Sequence, residues 1–167
     1  MKKLIIILLV FISFQTYSQC DIIHKISPDG TMYFSILPVT FYYTNDKSLK
    51  GGLVTDKENY YVAVQPMPFP EKSTVKKMKE DLELKLGNNK TYSLQHFDTK
   101  YLKNDSTMQL LYAIDKKDLD DFLNFEAIEA KINMMGTEGV RTYVFKLHKN
   151  ALQEQLACFL KKEEDKK

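Results

Sequence analysis

The sequence predicts an α+β domain: a curved antiparallel sheet of about six to eight strands, with two short helices covering one face or end. Three observations predict it. Apolar and polar residues alternate in repeated short runs, and the connections between runs are too short for parallel crossovers. The chain of 167 residues carries ten tyrosines and ten phenylalanines but six glycines and no tryptophan. Aromatics suit half-buried sheet faces, and so little glycine excludes a glycine-rich repeat architecture. Helical spacing beside a capping residue recurs at Asp115 and Asn150. The alternative architecture is a β-sandwich or small barrel with peripheral helices.

The elements follow in order. Asp29-Gly30 is a turn signal between the runs Ile22–Ile26 and Met32–Leu37, which predicts a hairpin. Pro38 interrupts, and Val39–Tyr43 resumes as a short strand. Asn45–Gly52 is polar and ends in two glycines, which predicts a loop. Tyr60–Val64 is a strand. Pro66, Pro68 and Pro70 then alternate with Met67 and Phe69. Proline donates no ladder bond, so this run is expected to leave the sheet as an extended edge or rim.

Ser73–Asp81 reads two ways. Val75, Met78 and Leu82 have helical spacing, with Ser73 or Thr74 as a cap. From Leu82 the period becomes two, through Leu84 and Leu86, and Gly87-Asn88-Asn89-Lys90 turns the chain into Tyr92, Leu94 and His96. This is the clearest hairpin in the chain. Thr99–Ser106 predicts a polar loop, and Met108–Ile114 a strand. Asp115 is the expected N-cap of a helix with Leu119, Phe122 and Leu123 on its apolar face. Ile128, Ala130 and Ile132 alternate as a strand, and Met135–Gly139 is a turn. Along Val140–Leu147, Val140, Thr142 and Val144 share one side, and Arg141, Tyr143, Phe145 and Leu147 the other. The last helix, Asn150–Lys161, is capped by Asn150 and buries Ala151, Leu152, Leu156, Phe159 and Leu160.

The chain begins with Lys2 and Lys3, an unbroken apolar run Leu4–Ile12, and a mostly polar stretch to Gln19. That order is a secretory signal peptide, and the apolar run is too short for a stable membrane span. Thr16 and Ser18 stand three and one positions before a cut ahead of Gln19, as signal peptidases prefer. The alternative is a lipoprotein, cut before Cys20 and acylated there. That signal needs a small residue before the cysteine and usually Leu two further back; Gln19 and Tyr17 stand there instead. The predicted organisation is a signal at 1–19, one globular domain at 20–161 and a charged tail at 162–167. About 148 residues after the signal suffice to bury one core.

Lys and Arg total 24 against 22 acids, and the signal removes Lys2 and Lys3, leaving 22 against 22. A near-neutral chain argues against nucleic acid as a partner, which would need a concentrated basic surface. Basic residues cluster at Lys72–Lys79, but Glu80, Asp81 and Glu83 follow. An even cysteine count in an exported chain favours a Cys20–Cys158 disulfide tying the N-terminal segment to the last helix. The other reading is a free Cys158 packed on that helix, with Cys20 lipidated or loose.

The segment Leu82–Leu160 resembles a group of small, functionally uncharacterised exported proteins of flavobacteria and related bacteria. The resemblance rests on the strand ending in a Gly-Asn turn (Leu84–Asn89), Tyr112 with Ile114, and Asp118-Leu119. It continues through Ile128 and Ile132, the Tyr143–Phe145–Leu147 strand, and a helix bearing Cys158. The end of the signal, Tyr17-Ser18-Gln19, is similar to export signals of those bacteria. The resemblance implies export and no active site.

No segment carries a reaction signature. His24, His96 and His148 lack metal-ligand spacing, so no metal site is predicted. Asp115, Asp118, Asp120 and Asp121 lack the glycine and terminal glutamate of a calcium loop, and a capped helix with an acidic first turn explains them. Glu126 and Glu129 are candidate paired carboxylates of a kind found in most chains. A Gly-rich phosphate loop, a GxSxG elbow and a CxxC pair are absent, and no cofactor is predicted. The aromatic segments Phe41–Tyr43, Tyr60–Tyr61 and Phe69 would line an apolar groove or form ordinary sheet core.

The expected function is an exported, non-enzymatic binding protein, secreted or periplasmic, whose partner is a protein or a small apolar ligand. Tyr60, Tyr61 and Phe69 are its candidate binding residues. The alternatives are a small hydrolase of envelope polymers using carboxylates with His96 or His148, and an outer-membrane lipoprotein subunit. Membrane contact is expected only if Cys20 is lipidated.

Overall fold

The computed structural model describes residues 20–27, 30–73, 78, 80–135 and 139–164. The predicted signal segment, Asp29 of the first predicted turn, most of the ambiguous 73–81 stretch, the centre of the 135–139 turn and the end of the charged tail lie outside them.

Among the described residues the strands are β1 Ile23–Ile26, β2 Met32–Ser35, β3 Val39–Tyr43, β4 Ser48–Thr55, β5 Tyr60–Met67 and β6 Leu82–Leu86. They continue as β7 Thr91–Leu94, β8 His96–Leu102, β9 Thr107–Ile114, β10 Ala127–Asn133 and β11 Val140–Val144. The helices are α1, Leu119–Asn124, preceded by a 3₁₀ turn at Lys116–Asp118, and α2, Ala151–Glu164. The predicted α+β class holds, with a curled antiparallel sheet and two helices. The strands divide between a seven-stranded sheet, β1-β2-β4-β5-β9-β8 with β3 also on β4, and a four-stranded sheet, β11-β10-β6-β7.

The core lies between the two sheets and under the helices. Period-two burial in the strands supplies Leu82, Leu84 and Leu86 of β6 and Leu110 and Tyr112 of β9, and the apolar helix faces add Phe122, Leu156 and Phe159. A bulge between Ala127 and Glu129 shifts the phase of β10, so Ala127 and Ala130 both point inward. The sheets meet where Phe41 stacks on Phe145 at 4.5 Å and the Phe41 carbonyl accepts from Lys146 N.

Two predicted loops are strands. Asn45–Gly52 was expected to turn, yet β4 begins at Ser48 and pairs with β5 through Thr55. Its glycines serve close approach instead. A Cβ at Gly51 would lie 2.5 Å from the Ala63 carbonyl, and one at Gly52 only 2.7 Å from Gln155 Oε1. Thr99–Ser106 likewise contains most of β8, whose polar residues alternate with inward-facing Thr99 and Tyr101. The turn itself is confined to residues 103–106. Pro66 and Met67 remain in β5 opposite Leu49 and Ser48, because pairing with β9 has already ended at Val64. The chain leaves the sheet only at Pro68.

The helix caps also differ. Asp115 makes no side-chain cap bond, and its carboxylate pairs with Lys117 Nζ at 3.1 Å. The Asn150 carboxamide donates to the Glu154 carboxylate, while the Asn150 carbonyl accepts from Glu154 N. The Gly87–Lys90 turn forms as expected, with Asn89 left-handed at φ 65°.

β4 has β5 along one edge and shares its other edge between β2 and β3. β2 reaches it at Thr55 and Val54, β3 from Gly51 to Ser48. Pro38 and its neighbours leave the ladder between them, so on this edge no strand among the described residues pairs with Leu53. Gln155 of α2 fills the gap: Leu53 N donates to its Oε1 at 2.6 Å, and Gln155 is buried. Cys20 bonds Cys158 on the same helix, with Cα atoms 5.8 Å apart and 138 positions between them. In the chain-entropy model a loop this long contributes up to about 4–5 kcal/mol.

Gln155→Ala is expected to cost about 1–3 kcal/mol in urea unfolding, the penalty for a buried amide left without an acceptor. Gly52→Ala is expected to destabilise too, and less so in the Gln155→Ala background, where the clashing carboxamide is gone. Additive costs would show that the two positions are not coupled.

Candidate functional site

β5 reads Tyr-Tyr-Val-Ala-Val and buries residues on both of its faces. Its second face, turned away from the main core, joins Tyr61 and Ala63 to Val54 of β4 and Leu111 of β9 in a separate buried cluster. Tyr33 of β2 and Ala113 pack against it.

A groove of about 490 Å³ lies over this face. Val54, Leu111 and Tyr33 contribute apolar floor, with Ser35, Gln65 and Gln109 as its polar members. Lys25, Ile26 and Ser27 wall one edge; Lys100, Leu102 and Lys103 wall the other. These walls belong to the two edge strands of the sheet, brought together by curl. Lys100 Nζ stands 5.0 Å from the Tyr33 ring centre, although β9, β5 and β4 separate their strands. Laid flat, β8 and β2 would be about 19 Å apart at the usual strand spacing. A bulge between His96 and Asp98 contributes, and Phe97 lies 4.5 Å from Tyr61 on this face.

The register explains the polar row. Lys100 pairs with Gln109, and Gln65 with Lys50. Continuing the β5–β9 register past Val64–Leu110 sets Gln65 beside Gln109. Among the described residues, three lysines and no carboxylate line the groove. Lys100 also meets Asp98 Oδ2 at 3.6 Å from outside the lining. Ile26 and Leu37 on the lip are 62 % and 63 % exposed.

Near Tyr61 the sheet is locked by Asp56. Its Oδ1 accepts from Glu58 N at 3.0 Å and Asn59 N at 2.7 Å, and its Oδ2 accepts the Tyr61 hydroxyl at 3.0 Å. Burial pushes the Asp56 carboxyl up, and these hydrogen bonds outweigh it, so its pKa is lowered. Burial and the Asp56 bond raise the Tyr61 hydroxyl.

The structure does not bring Tyr60, Tyr61 and Phe69 together as an exposed patch. Tyr60 and Tyr61 are 5 % and 3 % exposed and point to opposite faces of β5, Tyr60 into the main core and Tyr61 under the groove. Phe69 packs on Tyr101, with ring centres 6.1 Å apart, at another part of the surface. Phe41 is core, and Tyr43 is exposed. The groove residues escaped the sequence reading because each is ordinary alone. The signal was the apolar character of both faces of Tyr60–Val64, which requires cover on both sides.

The histidines stay apart. His24 is in β1 and His148 follows β11. His96 Nε2 hydrogen-bonds Thr99 Oγ1 at 2.9 Å, and Thr99 Oγ1 accepts from Met78 N. Asp81 accepts from His96 N and Ser93 Oγ. These bonds brace the corner where the chain passes from one sheet to the other. Among the described residues no group of three His, Cys, Asp or Glu side chains could hold a metal ion. Asp121 bonds Tyr92 and Lys90, and Glu126 pairs with Lys149.

Folding favours the ionised form of Asp56, whose pKa is depressed below the ordinary 3.8. Its contribution is complete above that value and is lost as pH falls through the depressed pKa. Thermal melts between about pH 4 and 2 are therefore expected to fall less steeply for Asp56→Asn, which keeps an acceptor but does not titrate. Identical acid slopes in both proteins would contradict this.

The chain matches no family model, no curated protein and no solved structure.

Proposed function

We propose that this is an exported, non-enzymatic binding protein, secreted or periplasmic, whose ligand seats in the groove between the curled edges of the seven-stranded sheet. The observation that carries the reading is the groove: an apolar floor with few polar groups, within the roughly 300–1,000 Å³ range of small-ligand sites. The rigid sheet positions those groups before any ligand arrives. The disulfide supports export, since such bonds persist in oxidising compartments. It also favours the soluble form over the lipoprotein, because a sulfur joined to Cys158 is not available for a lipid thioether. The signal segment and the resemblance to small exported bacterial proteins point the same way.

A thermal-shift screen of small molecules on wild type and Gln109→Trp tests the site. Ligands are expected to raise the melting temperature of wild type and not of the variant, whose indole fills the floor. If Gln109→Trp does not fold, Thr107→Phe at the groove wall replaces it. Hits that shift both proteins equally would place the ligand elsewhere. The intact mass of the exported chain tests the address. A chain starting at Gln19, without acyl groups and gaining two hydrogens on reduction, is expected; an acylated Cys20 would overturn the soluble reading.

A further inference from the structure

The groove differs from a plain apolar slot in the arrangement of its charges. Lys25 of β1 stands directly opposite Tyr33 in the β1–β2 ladder, and Lys100 of β8 comes over the same ring from the other edge. Lys103 follows on the β8–β9 turn, where it is held left-handed at φ 51°. The mouth thus carries lysines from both edges, and among the described residues no acid lines it. Asp98 occupies one side of Lys100 at 3.6 Å in a part-exposed pair. Such a pair is weak, and an ammonium has three donors, so Lys100 retains capacity for a second anion. Beside Lys100 the row Gln109–Gln65 adds two carboxamides, each with N–H donors. Next to these donors lie Val54 and Leu111, and the lip carries exposed Ile26 and Leu37. Cations and amide donors at one level, with aliphatic surface beside them, match a molecule that is anionic at one end and apolar along its length.

We propose that the groove binds a free long-chain carboxylate, its head held by Lys25, Lys100 and the Gln65–Gln109 pair and its alkyl chain laid on Val54, Leu111 and the Ile26–Leu37 lip. The proposal rests on reading the groove as the ligand site and adds the ligand's chemistry. A bare lysine cluster would attract any anion, and a bare apolar floor any alkyl chain; the combination requires both. Each methylene buried on the floor adds affinity whatever the head group, while the lysines discriminate between heads.

The test titrates the disulfide-bonded protein calorimetrically with monomeric dodecanoate and with dodecanol, which has the same chain and no charge. One dodecanoate per chain is expected, bound at least about tenfold more tightly than dodecanol and weakened by added salt. Lys25→Gln with Lys100→Gln, both on the surface, is expected to remove that preference by weakening dodecanoate binding to the level of dodecanol. Equal affinity for the two ligands, or a double variant that keeps the preference, overturns the proposal. So does co-sedimentation with phosphatidylglycerol vesicles without binding of monomeric dodecanoate, which would make the partner a membrane surface. If neither amphiphile binds while Gln109→Trp still blocks another ligand, the ligand class is wrong and the site stands. Dodecanoate binding unchanged by Gln109→Trp would reject the groove itself.

Discussion

Leu53 donates its amide to the carboxamide of Gln155, where a strand would normally accept it, and much of the architecture depends on that bond. Pro38 and its neighbours break the strand that runs along β4 into β2 and β3. The break opens a stretch of β4 edge inside the protein, where an unpaired N–H is costly. The Gln155 carboxamide satisfies it. Gly52 makes that approach possible, since any Cβ there would overlap the carboxamide. The result fixes α2 against β4, and with it the disulfide to Cys20 and the apolar face that closes the core.

Among the described residues no helix covers the opposite face of the large sheet. Curl covers it instead. The edges carrying β1 and β8 fold toward each other until Lys100 reaches the Tyr33 ring, and aromatic contacts from Tyr33 to Tyr61 to Phe97 run across the face. Val54, Tyr61, Ala63 and Leu111 are thereby buried, with Tyr33 and Ala113 packed against them. The space between the edges is the groove. Structure and candidate site are thus two consequences of one curved sheet: its inner face is closed by helices and a second sheet, its outer face only partly by itself.

Much of this was legible locally. The Leu82–Leu94 hairpin, the Met108–Ile114 strand and the apolar face of the last helix follow from periodicity and turn chemistry, and they lie where expected. Gly51-Gly52 has the composition of a turn, but its glycines answer to atoms of Ala63 and Gln155, remote in the chain. Asp115 has the composition of a cap, but its carboxylate is taken by Lys117. For Tyr60 and Tyr61 the sequence left both a groove lining and ordinary sheet core open. The pleat sends them to opposite faces.

The sequence by itself determined the fold class, the antiparallel pairing of its clearest hairpin and the pairing partner open to each cysteine, because these depend on short-range pattern and on a count of two. Only the tertiary structure decided that the strands divide between two sheets, that Gln155 completes a broken ladder, and that lysines from β1 and β8 face one another. Those features depend on curl and on contacts between segments tens of residues apart. No local periodicity records either, because curl accumulates over the whole sheet and each contributing residue is unremarkable in its own neighbourhood.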